Sequence, residues 1–166
     1  MKKFSLLFLF SLLFWAGKSQ DFSHITLDNR IYTDDIYSVK LCPADKYFGT
    51  PIIKLNSGEQ LRLVFDHLGD YDEYMKYTLI HCSHDWQLSP MNPLEYLDGF
   101  MEDEITDNSY SFNTITGYTH FELLLPNDLL RITKSGNYIL FVYDETPENP
   151  ILTQRFMVVE STTAGI

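Results

Sequence analysis

The chain is poor in positive charge, which narrows the classes of partner that it can bind. It has 12 lysines and arginines against 23 aspartates and glutamates, and a formal net charge of −11. Binding to nucleic acid depends on clustered Lys and Arg, and attraction to an anionic membrane surface needs polybasic segments. Nucleic acid is therefore excluded as a partner, and an anionic membrane surface is disfavoured.

The chain also lacks the common catalytic motifs. It has no Gly-x-Ser-x-Gly elbow, no Gly-rich phosphate loop ending in Lys and no His-Glu-x-x-His helix. The segment 81–85 holds imidazole, thiol and carboxylate groups, but His81 and Cys82 face opposite sides of a strand and no second zinc-type ligand pair occurs. The acidic runs at 70–73 and 102–104 are interpreted as solvated loops, and a hydrolase that pairs their carboxylates is the least supported alternative. We predict no enzymatic activity, no cofactor and no metal.

Only one long hydrophobic run is present, and it lies at the amino terminus. Two lysines precede the apolar run 4–16, and the short polar stretch after it includes the small residues Gly17 and Ser19. The run is about 13 residues, whereas a membrane-spanning helix needs roughly 20. This pattern predicts a signal peptide at 1–19, cleaved after Ser19, and a mature chain without a membrane span.

Removal of this leader leaves 147 residues and lowers the formal net charge to −14, because three lysines are lost with it. That length suits one domain with a substantial core. We predict a single domain at 20–160 followed by a short tail at 161–166.

Helical periodicity is absent as well. No stretch of ten or more residues repeats apolar positions at a helical spacing, whereas short alternating or apolar runs end at Gly, Pro, Asn or Asp. About eight strands are predicted, and a sandwich is typical of that number. They lie at 37–41, 51–55, 60–66, 74–82, 109–114, 118–125, 138–144 and 152–160, with 24–27 as a candidate ninth.

One local pattern sharpens the fold class. The sequence Ser-Gly-Asn-Tyr at 135–138 is typical of the tyrosine corner of immunoglobulin-like sandwiches, in which a Tyr hydroxyl bonds back to upstream backbone. Leu140 occupies the position of the second cysteine of an antibody domain. The sequence favours an all-β, immunoglobulin-like sandwich without the inter-sheet disulfide, and a jelly roll is the alternative.

The chain has only two cysteines, Cys42 and Cys82. Export to an oxidising compartment permits a disulfide between them if the strand ends that carry them are adjacent. The alternative is two buried thiols that pack as small apolar residues.

Aromatic residues, in contrast, are abundant at 15% of the chain. In the predicted strand 138–144 both faces are apolar, with Tyr138, Leu140 and Val142 on one face. The opposite face therefore needs a cover as well. Loops of this domain, a further region of the protein and a partner are the three candidates for it.

Several short segments, taken in their order and spacing, identify a family. They are 77–82, Asp85-Trp86, 95–100, 111–114 and 118–121, flanked by 57–61 upstream and by 125–128, 135–138 and 155–160 downstream. This set resembles the N-terminal domain of the type IX secretion system plug proteins of the Bacteroidota. The resemblance covers nearly all of the mature chain, which looks like the first domain of a longer plug protein.

The resemblance implies a periplasmic, non-enzymatic accessory protein whose partner is the outer-membrane translocon barrel, and which occludes the periplasmic mouth of that barrel. The loop 85–107 is the candidate binding surface, with Trp86, Tyr96, Asp98 and Phe100 as its contact residues. There aromatic side chains stand beside acidic ones, a mixture that suits an interface. The other interpretation is that the loop folds its aromatics back over the sandwich.

A secreted carbohydrate-binding module is the alternative function. It would present Trp86, Tyr71 and Tyr74 to sugar rings, since flat apolar faces with polar rims are typical of ligand sites. Sorting through the type IX route requires a carboxy-terminal targeting domain, and none is expected after Glu160. The general secretory leader therefore favours the periplasm.

Overall fold

Strands form nearly all of the regular structure. The computed structural model describes residues 22, 24–69 and 75–160. In chain order the elements are β1 (Arg30–Ile31), β2 (Ile36–Pro43), β3 (Ile52–Lys54), β4 (Leu61–Leu68), β5 (Met75–Cys82), α1 (Pro93–Tyr96), β6 (Leu97–Gly99), β7 (Glu102–Glu104), β8 (Asp107–Tyr110), β9 (Tyr118–Leu125), β10 (Leu130–Ile132), β11 (Gly136–Asp144) and β12 (Pro150–Val159). The prediction of an all-β protein is confirmed.

Two sheets pack face to face. The four-stranded sheet has the order β2-β4-β9-β8, and the six-stranded sheet has the order β1-β12-β11-β5-β7 with β3 paired in parallel to β12. These orders correspond to the A-B-E-D and C-F-G sheets of an immunoglobulin-like domain, with β11 as strand F. The predicted immunoglobulin-like sandwich is therefore the fold, rather than the jelly roll. A separate pair, β6 with β10, lies beside the two sheets.

The main core lies between the two sheets, because alternate residues of each strand point inward. Inward-facing Leu61, Leu63 and Phe65 of β4 are fully buried. Phe65 stacks on Phe121 of β9, with ring centroids 5.1 Å apart. In the facing sheet, Tyr138 of β11 stacks on Phe156 of β12. Each sheet thus contributes a stacked aromatic pair to the core between the sheets.

A second core covers the outer face of the six-stranded sheet. Ile139, Phe141 and Tyr143 point away from the first core and are fully buried. Apolar side chains of the chain's own N-terminal segment pack on them; we call residues 24–32 together with Phe22 the cover segment. The segment that covers the second apolar face of β11 is therefore part of this chain.

Arg155 holds the cover segment in place. Its guanidinium donates hydrogen bonds from Nε and Nη2 to the Leu27 carbonyl, at 2.8 and 2.5 Å, and Nη1 lies 3.4 Å from the Asp28 carboxylate. The Thr153 hydroxyl donates to the Asp28 carbonyl at 2.6 Å. These bonds satisfy backbone groups that pairing between strands does not reach.

The tyrosine corner is present. The Tyr138 hydroxyl donates a hydrogen bond to the Lys134 carbonyl at 2.8 Å. Gly136, two residues before the tyrosine, has φ of 152°, and a Cβ there would lie 2.3 Å from Nε2 of His81. The glycine of the sequence pattern is thus required by the close approach of the His81 ring as well as by its backbone conformation.

Two strand predictions differ from the structure. Residues 24–27 form no strand; they lie across the sheet, and the strand at this end of the chain is β1 at Arg30–Ile31. β1 pairs with Leu152 and Thr153 of β12, and β3 pairs with the carboxy-terminal residues Met157 to Val159 of the same strand. The predicted strand 109–114 ends at Tyr110, where the chain turns toward β9.

Both cysteines are free thiols. Cys42 pairs with Arg62 on the outer face of the four-stranded sheet, whereas Cys82 belongs to the second core on the outer face of the six-stranded sheet. Two stacked sheets are about 10 Å apart, and a disulfide needs Cα atoms within roughly 7 Å. The Cys42–Cys82 bridge is therefore incompatible with this fold, and burial raises the pKa of the Cys82 thiol to about 11.

The predicted signal peptide at 1–19, the tail at 161–166 and the residues Tyr71 and Tyr74 lie outside the described residues. Within the described ranges, no helix has both the length and the apolar character needed to cross a membrane.

Candidate functional site

The predicted binding loop 85–107 is largely regular structure. It contains α1, β6 and β7, and α1 begins with a capping box. The Asn92 side chain accepts a hydrogen bond from the Leu94 amide at 3.0 Å, and the Glu95 side chain accepts one from the Asn92 amide at 2.8 Å. These bonds satisfy amides that a helix start leaves unpaired, so a helix of one turn can form here.

Tyr96 is a core residue, which corrects its assignment to a binding surface. Only 4% of it is exposed. Its ring lies against His81 and Tyr138, with centroids at 5.4 and 6.0 Å, and its hydroxyl is 3.4 Å from the Leu79 carbonyl that accepts its hydrogen bond. Burial raises the pKa of this tyrosine. The side chain anchors α1 to the sandwich and is not accessible to a partner.

Trp86 belongs to the second core. It is half-buried, in a turn where its own φ is 60°, and packs against the cover segment. The Arg155 guanidinium lies 4.3 Å from the centroid of its ring, a cation–π contact. The main contacts of Trp86 are thus within the domain.

Asp98 and Phe100 are exposed, as the prediction requires; Asp98 lies in β6, and Phe100 follows that strand directly. Asp98 Oδ2 accepts hydrogen bonds from Nη2 and Nε of Arg131 at 2.7 and 3.1 Å. Phe100 is 60% exposed, and its amide donates to the Leu129 carbonyl at 2.8 Å. A cleft of about 470 Å³ opens beside Asp98, between the β3–β4 turn and the segment 126–133. The structure therefore leaves two of the four predicted contact residues exposed.

Two carboxylates of the acidic run 102–104 hold tyrosine hydroxyls. Glu102 accepts a hydrogen bond from the Tyr143 hydroxyl at 2.5 Å and lies 3.8 Å from the Lys76 ammonium. Asp103 accepts one from the Tyr77 hydroxyl at 3.4 Å, and burial is the main cause that raises the pKa of Tyr77 to about 12. These contacts give Glu102 and Asp103 a structural role. The other predicted run, 70–73, lies outside the described part of the chain.

A different surface stands out in the structure: the outer face of the four-stranded sheet, here the open face. Its central residues Val64, Glu122 and Leu124 are half-buried or exposed, whereas the equivalent residues of the six-stranded sheet are buried under the cover segment. Of the 14 large apolar side chains exposed within the described residues, eight lie on the strands of this sheet or in the loops attached to them. They are Tyr37, Tyr47, Phe48, Leu68, Tyr110, Phe112, Ile115 and Leu124.

One end of the open face combines aromatic rings with cations. The Lys40 ammonium lies 4.3 Å from the ring centroid of Tyr47 and 4.0 Å from that of Phe48, and the Arg62 guanidinium lies 5.8 Å from the Tyr47 ring. The two rings are themselves tilted by 57° at a centroid distance of 5.9 Å. Exposed aromatics with arginine are the composition that protein interfaces favour. Tilted rings with an ammonium on their faces do not form a flat platform for a sugar.

The centre of the same face carries paired polar and charged side chains. His120 Nδ1 lies 2.6 Å from Asp66 Oδ1, and Arg62 lies 4.0 Å from Glu122. At the neighbouring end of β4, His67 Nε2 lies 3.0 Å from Asp35. Polar contacts of this kind give a partner defined orientation around the aromatic positions.

Sequence reasoning missed the open face, although a signal for it was present. Tyr47, Phe48 and Ile115 occur between predicted strands, in segments where a large apolar residue has no strand face to join. Alternation within the strands could not identify the face, because Arg62, Asp66 and their neighbours read as ordinary solvent-facing residues.

Comparison with known proteins agrees with this architecture. The family model described as "Type 9 secretion system plug protein 1st domain" matches residues 36–160. A crystal structure of a hypothetical protein from Parabacteroides merdae ATCC 43184 is similar, with 35% identity and a TM-score of 0.78 over 82% of this chain. The match covers 34% of that protein, so this chain spans about a third of its length. No curated protein matches significantly. The chain belongs to the type IX secretion system plug protein family, and it contains the first domain of that family.

Proposed function

We propose that this protein is a periplasmic, non-enzymatic accessory component of the type IX secretion system, which helps to occlude the periplasmic mouth of the outer-membrane translocon barrel. Membership of the plug family indicates a role associated with this secretion system. Export by the predicted signal peptide accounts for the periplasmic location. The partner in this proposal is the barrel.

The observation that carries the proposal is the asymmetry between the two outer faces of the sandwich. The cover segment buries one of them, whereas eight of the 14 large apolar side chains exposed within the described residues lie on the strands of the other sheet or in the loops attached to it. Single exposed apolar residues need no explanation, but a set concentrated on one sheet and its loops is typical of a protein-binding surface.

The mechanical demands of a plug also suit this domain. A plug must keep its shape while it is bound across a pore. Here two apolar cores, on both sides of the six-stranded sheet, fix the strands, and Arg155 fixes the segment that seals the second core. Occlusion requires no reacting group, and the carboxylates of Glu102 and Asp103 already hold tyrosine hydroxyls.

The test is capture of the barrel by the exported full chain, tagged at its carboxy terminus, from detergent-solubilised outer membranes. We expect the barrel to be retained and identified by mass spectrometry. Replacing Tyr47 and Phe48 by Ser should weaken capture, because both rings lie on the open face, whereas replacing Leu94 by Ser should not, because Leu94 is exposed on α1. Absence of the barrel, together with a positive result on a polysaccharide array, would favour the carbohydrate-binding alternative.

Two further measurements address the location. Mass spectrometry of the purified chain should give an amino terminus after Ser19, and fractionation should recover the chain with periplasmic markers. Recovery with the cytoplasm and an intact leader would contradict the proposal.

A further inference from the structure

The loop between β8 and β9, residues 111–117, presents two large apolar side chains to solvent. Phe112 is 93% exposed, and Ile115 is fully exposed. The three residues around Phe112 all have structural roles: Ser111 and Thr114 make hydrogen bonds within the loop, and Asn113 adopts the left-handed conformation with φ of 61°. Phe112 has no such role, since it contributes to neither core.

The loop is held in one shape by its own hydrogen bonds. The Ser111 amide donates to the Tyr118 carbonyl at 2.8 Å, and the Tyr118 amide donates to the Ser111 hydroxyl at 2.9 Å. The Thr114 hydroxyl lies 2.8 Å from the Thr116 carbonyl, and the Gly69 amide donates to the Gly117 carbonyl at 2.8 Å. A loop that is ordered before binding loses little conformational entropy when it docks, so its apolar side chains are efficient anchors.

The surroundings of the loop are acidic. Gly69 links the loop to the end of β4, where the Leu68 amide donates to the Asp35 carbonyl at 2.8 Å. Among the described residues, this end of the four-stranded sheet carries the carboxylates of Asp34, Asp35 and Asp66. Asp35 lies against the imidazole of His67, and Asp66 lies against that of His120. An anionic lipid surface would repel this end of the domain, and so would the same end of a second copy. A protein pocket with basic residues around its mouth would attract it.

We propose that Phe112 and Ile115 are a preformed anchor that enters an apolar pocket on the partner protein, with Lys or Arg side chains at the mouth of the pocket facing the aspartates of this chain. The inference rests on the proposed function, because it takes the partner to be the translocon barrel. To the proposed function, the inference adds which side chains of this chain insert into the partner, and that the receiving pocket is apolar with basic residues at its mouth.

The experiment compares three forms of the tagged full chain in the same capture assay: the wild type, F112S/I115S and the control L94S. Leu94 is 74% exposed and lies on α1, outside the loop, so its replacement removes an exposed apolar side chain from a different part of the surface. We expect F112S/I115S to retain at least about tenfold less barrel than the wild type, because truncation of a central apolar anchor commonly has an effect of this size. L94S should retain as much as the wild type. All three should unfold at the same temperature, since neither loop side chain is part of a core.

The outcomes separate the two proposals. If the wild type captures no barrel, the proposed function fails. If the wild type and F112S/I115S capture equal amounts, the function stands and the anchor is overturned. A photo-crosslinker at position 112 should join the barrel and not another copy of this chain. The wild type and F112S/I115S are also mixed with vesicles of phosphatidylethanolamine and phosphatidylglycerol. If the wild type floats with the vesicles and F112S/I115S does not, the loop binds lipid, and the proposal of a protein pocket is overturned.

Discussion

The Tyr138 hydroxyl and the Lys134 carbonyl are joined by a 2.8 Å hydrogen bond that closes the turn into β11. The same tyrosine stacks on Phe156 and meets the edge of His81, with centroids at 5.3 and 5.0 Å. Its ring is fully buried, and burial raises the pKa of its hydroxyl far above the ordinary value. This one side chain therefore fixes both the turn and the packing of the central strand.

Replacement of Tyr138 by Phe should lower the free energy of unfolding by about 1 kcal/mol, because it removes one hydrogen bond and keeps the ring. Urea denaturation followed by fluorescence measures the change. Tyr37→Phe is the control, since that residue is half exposed on the open face, and should change stability by less than about 0.5 kcal/mol. Equal effects of the two variants would mean that the corner contributes nothing to stability.

The tyrosine corner was predictable from sequence because the pattern is local: Gly136, Asn137 and Tyr138 determine the turn together. The capping box of α1 is equally local, with Asn92, Pro93 and Glu95 at the standard spacing, and it gave a signal for a helix start that the strand-based interpretation passed over. The pairing of β6 with β10 was not predictable. It joins residues more than 30 positions apart, and each strand is only three residues long.

The candidate site also contains residues whose exposure could be predicted from sequence and one whose burial could not. Asp98 and Phe100 were expected to be exposed and are. Tyr96, only two residues before Asp98, is buried because α1 turns it toward His81. Whether an aromatic residue beside acidic ones faces solvent or core depends on the direction of a single helical turn, which composition does not encode.

Replacement of Arg155 by Ala should loosen the cover segment. It removes two hydrogen bonds to the Leu27 carbonyl and the contact with Trp86, so we expect a loss of about 2 kcal/mol in unfolding free energy and faster amide exchange in residues 24–32. Hydrogen exchange with mass spectrometry measures the second effect. Arg155→Lys keeps the charge but not the fork of donors, and should show most of the loss.

Arg131→Ala is the matched control for Arg155. Its ion pair with Asp98 has good geometry, but both side chains are more than half exposed. Exposed pairs contribute less than about 1 kcal/mol. If Arg131→Ala is the more destabilising of the two, the cover segment is not held by Arg155.

Stability should fall as the pH is lowered because of His81. Burial, followed by the charge of Lys134, lowers the pKa of this histidine, although a backbone hydrogen bond with Ser135 opposes the shift. Its Nδ1 is buried and has no hydrogen-bond partner among the described residues. The unfolded chain therefore binds a proton more readily than the folded one, and His81 lowers the stability as the pH falls through about 6.5 toward the folded pKa.

Urea denaturation at about pH 7.5 and about pH 5.5, on either side of the ordinary histidine pKa of about 6.5, measures how the free energy of unfolding changes with pH. His81→Gln should lose less stability than the wild type across that range, because the titrating group is gone. An unchanged slope in His81→Gln would assign the pH dependence to other groups.

Tyr96→Ala should destabilise the domain far more than Phe100→Ala, although the two residues are only four positions apart. Tyr96 fills the space between His81, Tyr138 and the carbonyl of Leu79, so its truncation leaves a cavity and should cost about 3–5 kcal/mol. Phe100 is 60% exposed, and its truncation should change the unfolding free energy by less than about 0.5 kcal/mol. Thermal unfolding of both variants measures the difference, and Tyr96→Phe, which keeps the ring, should lie between them. A stable Tyr96→Ala would mean that α1 is not anchored by this ring, and that the loop 85–107 can rearrange to offer Tyr96 to a partner.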